Sequence, residues 1–464
     1  MEKETLSFGT DGIRGHSEQY PFTNDVLHKL GRAIGLWARE KYGNNRSFVL
    51  IGSDTRDSCQ RIKQALVGGL QSFSLTLVDG DVIPTPAVYQ LMREDQRYAF
   101  GIVISASHNL YQDNGIKIFD ALTGKLSSLD EQSIMHYFEG VNDRLVNVHE
   151  KQADKGVNDR RVNMHEKQAE IVSWPFAKQV YRENIQKLFP INFLKGITVV
   201  IDCANGATSV VAPELFAQSG AEVIVLSDQP DGKNINDHCG SLHPQALQQA
   251  VVAHHADMGF AFDGDGDRIV AVNKAGQLKD GDDILMLLAQ LPCYADVSQI
   301  VGTVMANSGL EYALNACNKE LVRVPVGDKY VVAKLDELNS PLGGEPSGHI
   351  IVRTYLPTSD ALFVALKLLE SIMLTNNWEM NSFDKFPQVV LNIPVVYKQD
   401  LSVAPYATII AQHKAKMPKG RLLVRYSGTE NILRIMTETE IYEDAYALAH
   451  DLAQQFQQAF KHHA

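Results

Sequence analysis

A chain of 464 residues is too long for a single hydrophobic core and predicts several domains. A hydrophobic share of 45% and a charged share of 21% indicate a globular protein, and a net charge of −12 argues against general binding to nucleic acid or to an anionic membrane. No segment resembles a secretory signal or approaches the roughly 18 apolar residues of a membrane helix.

The first hundred residues alternate between helical and strand-like patterns. Helical periodicity covers 24–42 and 58–73, and short apolar runs predict strands at 48–52, 74–79 and 101–105. We expect the segment VIPTPAV (82–88) to close a loop. Such alternation predicts an α/β layer on a mostly parallel sheet.

The same alternation begins again at ITVVIDCANGAT (197–208) and at IVGTVMANSG (300–309), with helices expected near 209–219 and 310–317. From about residue 385 two strands and a helix over 442–461 predict a smaller domain of α+β type. The predicted fold class is therefore a multi-domain α/β protein, with three related modules on mixed sheets and a smaller C-terminal domain. The expected domain boundaries are 1–150, 172–290, 291–384 and 385–464.

A local duplication joins the first two modules. VNDRLVNVHEKQAD (141–154) recurs as VNDRRVNMHEKQAE (157–170), with eleven of fourteen positions identical. Two copies do not make a solenoid, which needs at least three, and a long surface linker costs little entropy to extend. A duplicated linker is favoured over a metal site at His149 and His165.

The stretch GIVISASHNLYQDNGIKIFD (101–120) passes from an apolar strand into a polar turn and back. Ser107 and His108 thus lie at a strand-to-loop transition, where a sheet commonly presents its chemistry. For a lone Ser-His pair, an ordinary polar loop is the alternative.

The sharpest motif is AFDGDGDRIVAV (261–272), where Asp263, Asp265 and Asp267 alternate with glycine after an apolar strand. In an extended segment the three carboxylates would point the same way, and their repulsion calls for a cation such as Mg²⁺. An EF-hand is excluded, because its sixth and twelfth positions would be Arg268 and Lys274. A solvated turn is the remaining alternative.

Three further loops carry polar groups. VRYSGTENILRIM (424–436) combines arginines, hydroxyls and a glycine suited to a phosphate, although it is not a Walker A loop. LGGEPSGHII (342–351) offers donors and acceptors for sugar hydroxyls, and FGTDGIRG (8–15) places Arg14 between turn glycines. A phosphate, a cation and sugar hydroxyls together indicate a phosphosugar site. A serine hydroxyl is a poor ligand and nucleophile, but a phosphoserine is an anionic ligand and a transferable group, so we predict that Ser107 is phosphorylated.

These motifs, together with DCANGAT, NINDHCGSLHP and GTVMANSGLE, resemble the α-D-phosphohexomutase superfamily in content and order, and the phosphoglucosamine mutase branch in particular. The resemblance covers nearly the whole chain except the duplicated linker. It implies four domains around a central cleft. The implied enzyme is an isomerase that interconverts glucosamine 6-phosphate and glucosamine 1-phosphate through a phosphoserine and a sugar 1,6-bisphosphate, which also acts as activator. A phosphoglucomutase or phosphomannomutase is the alternative, and a silent sugar-phosphate binding protein is a remote one.

The resemblance also implies roles for individual residues. Ser107 would exchange the phosphoryl group, surrounded by Arg14, His108 and Lys117. Mg²⁺ would be held by the Ser107 phosphate with Asp263, Asp265 and Asp267. The substrate would be bound by Arg268, Glu345, Ser347, His349, Arg425, Ser427, Gly428, Thr429 and Arg434.

Three departures from the family pattern accompany these roles. Leu110, in the loop that carries Ser107, and Asn431, in the predicted phosphate loop, stand where prolines are usual, so both loops are expected to be less rigid. The sequence of 352–362 differs from the family pattern, which bears on the choice of sugar. The five scattered cysteines form no CxxC and predict a reduced, cytoplasmic protein. Its expected partner is a small phosphosugar, with no nucleic acid or membrane, and the protein is expected to be a monomer or homodimer.

Overall fold

The computed structural model describes residues 6–9, 11–43, 45–140, 170–417, 420–426 and 431–462. The duplicated segment, up to residue 169, lies outside the described residues. The chain divides into two compact units, one of Met1–Met305 with Val322–Asn381 and one of Ala306–Leu321 with Ser382–Ala464. Within the described ranges, no helix is both long and apolar enough to cross a membrane.

The first sheet of the first unit has seven strands. They are β1 (Ile13–His16), β2 (Phe48–Ser53), β3 (Thr76–Val82), β4 (Tyr98–Ile104), β5 (Asp113–Asp120), β6 (Gly124–Lys125) and β7 (Glu170–Ser173). Their order is β1-β5-β4-β2-β3-β7, with β6 against β5. Strands β2, β3, β4 and β7 run parallel, and β5 is antiparallel to β1, β4 and β6, so the sheet is mixed. Every residue of β4 is buried, as its uncharged sequence requires.

Four helices accompany this sheet: α1 (Asn24–Tyr42), α2 (Cys59–Leu70), α3 (Thr85–Arg93) and α4 (Ser128–Gly140). Helix α1 has the bounds expected from its periodicity. The expectation of a loop over 82–88 is wrong, because α3 begins inside it at Thr85, after Pro84 and with Pro86 in its first turn. A proline is compatible with a helix start, since the N–H it lacks would have no partner within the helix.

The second and third sheets repeat the α/β pattern. The second has the order β12-β11-β10-β8-β9, and the third has the order β14-β13-β15-β16. The strands are β8 (Thr198–Asp202), β9 (Glu222–Leu226), β10 (Met258–Phe262), β11 (Ile269–Asn273), β12 (Leu278–Lys279), β13 (Gln299–Thr303), β14 (Glu320–Val324), β15 (Leu342–Gly344) and β16 (Ile350–Val352). The helices are α5 (Ala177–Gln186), α6 (Ala212–Gln218), α7 (Gln245–Ala253), α8 (Gly281–Ala289), α9 (Ser308–Ala316), α10 (Asp328–Leu338) and α11 (Ala361–Thr375). The helix expected over 209–219 is divided into a 3₁₀ turn (Ala207–Val210) and α6.

The second unit contains α9 and a three-stranded antiparallel sheet with β19 in the middle. Its strands are β17 (Gln388–Pro394), β18 (Arg421–Tyr426) and β19 (Ile432–Glu438), and its other helices are α12 (Tyr406–Ala415) and α13 (Tyr442–His462). An apolar cluster centred on Leu433, Ile435 and Phe456 forms its core. This is the α+β arrangement expected for the C-terminal portion.

A buried polar network includes residues of segment 352–362, whose sequence departs from the family pattern. Asp360 is the N-cap residue of α11 and accepts hydrogen bonds from the Phe363 N–H (3.0 Å), the Tyr181 hydroxyl (2.9 Å) and the Tyr355 hydroxyl (3.1 Å). Gln90 Nε2 in turn donates to the Tyr355 hydroxyl at 2.6 Å. These bonds join α3 and α5 to the start of α11. Burial, opposed by the hydrogen bonds, raises the pKa of Asp360 to about 6.

This network predicts a pH-dependent stability difference for Asp360→Asn. The pKa of Asp360 is higher in the folded protein than in the unfolded chain. The wild type therefore loses stability as the pH rises from the unfolded pKa to the folded pKa, whereas asparagine does not titrate. From about pH 4 to about pH 7, urea unfolding should therefore show a shift of about 2–3 kcal/mol in favour of the variant. A difference that stays constant across this range would contradict the assignment.

Candidate active site

The serine loop (105–112) connects β4 to β5, and Ser107 lies three residues beyond the end of β4. Ser107 is buried and has a φ of 54°, in the left-handed region that costs a non-glycine residue about 1–2 kcal/mol. Its hydroxyl donates to Asp263 Oδ2 at 2.6 Å, and its Oγ lies 3.2 Å from His108 Nδ1. A Cβ at Gly264 would lie 2.6 Å from the Ser107 carbonyl oxygen, so only glycine permits this approach between the two loops.

The three aspartates converge in a turn after β10. Single ligand oxygens of Asp263, Asp265 and Asp267 all lie within 4.8 Å of one another, and all three residues are buried. The expected extended backbone is wrong: the Gly266 N–H donates to the Asp263 carbonyl at 3.1 Å, and Gly266 has a φ of 73°. The N–H of Asp267 also donates to Asp263 Oδ1 at 3.1 Å. Burial excludes a solvated turn, and local turn bonds rather than strand alternation gather the carboxylates.

Lys117 provides the principal positive charge at this cluster. Its Nζ lies 2.7 Å from Asp11 Oδ2, 2.9 Å from Asp265 Oδ2 and 2.8 Å from Asp267 Oδ2. Burial alone would lower the pKa of Lys117, but the carboxylates of Asp11, Asp265 and Asp267 outweigh it and hold that pKa well above its usual value. The lysine is therefore charged and binds the loop after β10 to β5.

The aspartate cluster fits a hard divalent cation. Asp265 Oδ1 is buried and accepts no hydrogen bond from the part of the chain that the structure describes. Burial, followed by the charges of Asp267 and Asp265, raises the pKa of Asp263 well above its usual value. Convergent carboxylate oxygens are the donors that Mg²⁺ prefers, with waters or substrate completing the shell.

Four predicted basic residues surround this cluster. Arg14 Nη2 donates to Asp11 Oδ2 at 2.9 Å. Arg268 Nε and His349 Nδ1 lie 3.9 Å and 3.8 Å from Asp267 Oδ1. Burial and then the charges of Arg268 and Arg14 lower the pKa of His108 to about 3, so its imidazole is neutral. The structure thus brings these side chains together with Ser107 and Lys117.

The glycine-rich loop between β15 and β16 carries Glu345 and Ser347. Glu345 Oε1 accepts from the Gly327 N–H at 3.1 Å, and Ser347 Oγ lies 3.5 Å from Glu345 Oε2. The Ile269 N–H donates to the Gly348 carbonyl at 3.1 Å. Because Ile269 follows Arg268 directly, this bond holds the loop next to Arg268. The loop therefore adjoins the aspartate turn.

The predicted phosphate loop lies in the second unit. Arg425 on β18 and Arg434 on β19 are directly opposite each other in the antiparallel register. Burial, and then the charge of Arg434, lowers the pKa of Arg425. Ser427, Gly428 and Thr429 lie outside the described residues. Of the predicted phosphate-binding residues, the structure therefore describes only the two arginines, on the strands that flank the loop.

The structure adds residues that the sequence analysis did not select. Thr85 Oγ1 donates to Asp265 Oδ2 at 2.5 Å, and Lys125 Nζ lies 3.0 Å from Asp11 Oδ1. Arg56 and Asn236 contact the backbone of the serine loop. Asp11 and Asn236 belong to the quoted motifs FGTDGIRG and NINDHCGSLHP, so those motifs were the available signal. No local pattern marked Thr85, Lys125 or Arg56.

Comparison with known proteins places the chain in a family. Models of the phosphoglucomutase/phosphomannomutase family match in order: alpha/beta/alpha domain I at 5–144, domain II at 179–276, domain III at 280–383 and the C-terminal domain at 384–455. The phosphoglucosamine mutase of Acinetobacter baylyi is 40% identical over 454 residues, which cover 96% of this chain and 98% of that protein.

Two solved structures share the fold. A phosphoglucomutase/phosphomannomutase family protein from Burkholderia thailandensis has a TM-score of 0.75 at 23% identity, with 96% of this chain and 97% of that chain covered. The N-acetylphosphoglucosamine mutase of Aspergillus fumigatus, in complex with GlcNAc-6P and magnesium, has a TM-score of 0.65 at 18% identity, with 98% and 96% covered. The fold and site define a phosphohexomutase, an isomerase that acts as an intramolecular phosphotransferase. The chain belongs to the α-D-phosphohexomutase superfamily, as its motifs indicated, and its phosphoglucosamine mutase relatives span almost its whole length.

Removal of the Lys117 charge should destabilise the fold. In Lys117→Gln, the buried carboxylates of Asp265 and Asp267 and the partly buried one of Asp11 lose their shared ammonium, and we expect a loss of about 3–5 kcal/mol in urea unfolding at pH 7 without divalent cation. The control is Lys274→Gln, which breaks the half-exposed 2.9 Å pair with Glu379 and should cost only about 0–1 kcal/mol. Equal losses in the two variants would contradict this account of the cluster.

Proposed function

We propose that this phosphohexomutase interconverts glucosamine 6-phosphate and glucosamine 1-phosphate through a phosphorylated Ser107. The amino sugar is supported by the phosphoglucosamine mutase of Acinetobacter baylyi, at 40% identity over nearly the whole chain. One observation carries the role of Ser107: its hydroxyl lies 2.6 Å from a carboxylate of the buried aspartate cluster. A phosphoryl group on that oxygen would lie at the one place where the described acidic cluster and its basic neighbours meet.

The neighbours of Ser107 support phosphoryl transfer in both directions. A sugar hydroxyl would attack the phosphorus of phosphoserine, with Ser107 Oγ as the leaving group, and the resulting bisphosphate would return its other phosphoryl group to Oγ. Lys117 and Arg14 would neutralise the charge on the transferred oxygens. His108, whose Nδ1 lies 3.2 Å from Oγ, would take up the proton that the attacking sugar hydroxyl releases and give it to Oγ as that oxygen leaves, and the return step would move the proton in the opposite direction. A sugar 1,6-bisphosphate would be both intermediate and activator.

Mg²⁺ is the cation that we propose for the aspartate cluster. Asp263, Asp265 and Asp267 would hold it together with the Ser107 phosphate. When bound, Mg²⁺ would supply neutralisation of phosphoryl charge. The magnesium in the related Aspergillus fumigatus structure supports this choice of metal.

The remaining loops would bind the substrate outside the reacting phosphoryl group. Glu345, Ser347 and His349, with Arg268, would contact the sugar, because their loop adjoins the aspartate turn. Arg425 and Arg434, two cations on neighbouring strands, would hold the phosphate that does not react. The phosphate-binding set would be completed by Ser427, Gly428 and Thr429.

We further propose four domains over 1–150, 172–290, 291–384 and 385–464, with the serine loop, the aspartate turn, the sugar loop and the phosphate loop respectively. The succession of four family matches supports this division. A cytoplasmic location is supported by the five cysteines, which are all described and all free. A small phosphosugar is the partner that fits the site, and the net charge of −12 disfavours nucleic acid.

The function is tested by comparing sugars. With Mg²⁺ and a trace of glucose 1,6-bisphosphate, kcat/KM should be highest for glucosamine 1-phosphate among the glucosamine, glucose and mannose 1-phosphates. Ser107→Ala should lose at least about a thousandfold of this activity, because alanine lacks the oxygen that would carry the phosphoryl group. EDTA should abolish turnover in the wild type.

Two outcomes would change the proposal. Preference for glucose 1-phosphate or mannose 1-phosphate would keep the mechanism and overturn the sugar. Turnover that survives in Ser107→Ala would overturn the phosphoserine. Intact mass spectrometry of both proteins provides an independent reading, since only the wild type should gain one phosphoryl group.

A further inference from the structure

The guanidinium of Arg56 lies buried beneath the loop that carries Ser107. Its side chain has no exposed surface. An arginine has five N–H donors, and here five oxygen atoms accept from them. The acceptors are Asp54 Oδ2 (2.8 Å) and the backbone carbonyls of Ser107 (3.0 Å), Asn109 (2.7 Å), Asp113 (3.0 Å) and Leu110. A single side chain therefore holds four peptide groups, three in the serine loop and one at Asp113, the first residue of β5.

Asn236 holds the same loop from the second module. Its Nδ2 donates to the carbonyls of Ser107 and Asn109, both at 2.9 Å. The two carbonyls therefore each accept from Arg56 and from Asn236. Since a carbonyl oxygen has two lone pairs, this pair of donors occupies both acceptor positions.

The Ser107 N–H is also linked to Arg56, through Ser105 and Asp54. The Ser107 N–H donates to Ser105 Oγ at 2.9 Å, and the Ser105 hydroxyl donates to Asp54 Oδ2 at 2.6 Å. Asp54 Oδ2 is also the acceptor for Arg56 Nε. Both peptide groups that flank Ser107 are thus fixed, and these bonds offset the cost of its φ of 54°.

This arrangement bears on Leu110, which stands where the family usually has proline. A proline would restrict the backbone at that position through its ring. In this chain Arg56 binds the Leu110 carbonyl instead, so a hydrogen bond provides a restraint that the side chain at 110 does not.

We propose that Arg56, assisted by Asn236, is a positioning residue that fixes the Ser107 loop for phosphoryl transfer. The proposal rests on the function proposed for Ser107. Among the described residues, the Arg56 guanidinium donates only to Asp54, the serine loop and Asp113, and its side chain is buried, so it acts through the placement of Oγ. A displacement of about 1 Å in a reacting atom can cost about a hundredfold in rate. The loss should appear in kcat and in the rate of Ser107 phosphorylation, with little change in KM.

The test compares Arg56→Lys with Arg61→Lys. Lysine at 56 keeps the charge beside Asp54, but its ammonium has three N–H donors and cannot serve the five acceptors around the planar guanidinium. Arg61 lies on α2, which begins three residues after Arg56, and its side chain also binds backbone carbonyls, those of Phe22 (2.9 Å) and Ser17, but in the described residues it does not bind the serine loop. We expect kcat to fall about 10–100-fold in Arg56→Lys with KM within about threefold, and to stay within about twofold of the wild type in Arg61→Lys.

Phosphorylation of Ser107 by glucose 1,6-bisphosphate, followed by intact mass, should slow in parallel with kcat. Equal kcat in the two lysine variants would overturn the proposal, as would a loss confined to KM. If Arg56→Lys does not fold, Asn236→Gly decides, because glycine accepts the φ of 58° at this position and removes only the amide. A kcat lowered at least about threefold supports the proposal, and a wild-type kcat overturns it. A wild type without any turnover would instead contradict the proposed function.

Discussion

The ammonium of Lys117 is the interaction on which the site depends. It joins Asp11 near the start of the chain to Asp265 and Asp267, which lie about 150 residues further along than Lys117 itself. Without a cation, the buried carboxylates of Asp263, Asp265 and Asp267 cannot all be charged so close together, because each would raise the free energy of ionising the next. The lysine therefore permits the acidic turn to form, and the unsatisfied Asp265 Oδ1 leaves that turn able to bind a further cation.

The serine loop meets this turn from the other side. The left-handed φ of Ser107 directs its hydroxyl to Asp263, and Gly264 allows the two backbones to approach. The carbonyls of the same loop face Arg56 and Asn236, so its backbone and its side chain are fixed by different partners. Positioning of this kind suits phosphoryl transfer, in which the protein contributes mainly orientation and charge.

The sequence predicted elements and motifs well where the signal is local. Helix α1 follows from its apolar period, β4 from its uncharged run, and the convergence of the aspartates from three carboxylates in five residues. Helix α3 was missed because prolines favour turns as well as first helical turns. The aspartates converge as expected but through a turn, since the alternation of glycine and aspartate does not distinguish a turn from an extended strand. Arg56 and Thr85 could not be identified, because their partners in the site lie 51 and 180 residues away along the chain, whereas Asn236 stood in a quoted motif that did not reveal its contact with the serine loop.

The most direct test of the account is a single-turnover transfer from the protein to the sugar. Protein labelled with ³²P at Ser107 would be freed of excess label and mixed with a stoichiometric amount of glucosamine 6-phosphate in Mg²⁺. The account predicts that the label leaves Ser107 and appears in sugar phosphates at a rate no slower than kcat. Isomerisation of the sugar while the label stays on Ser107 would contradict the account, because the phosphoserine would then not lie on the reaction path.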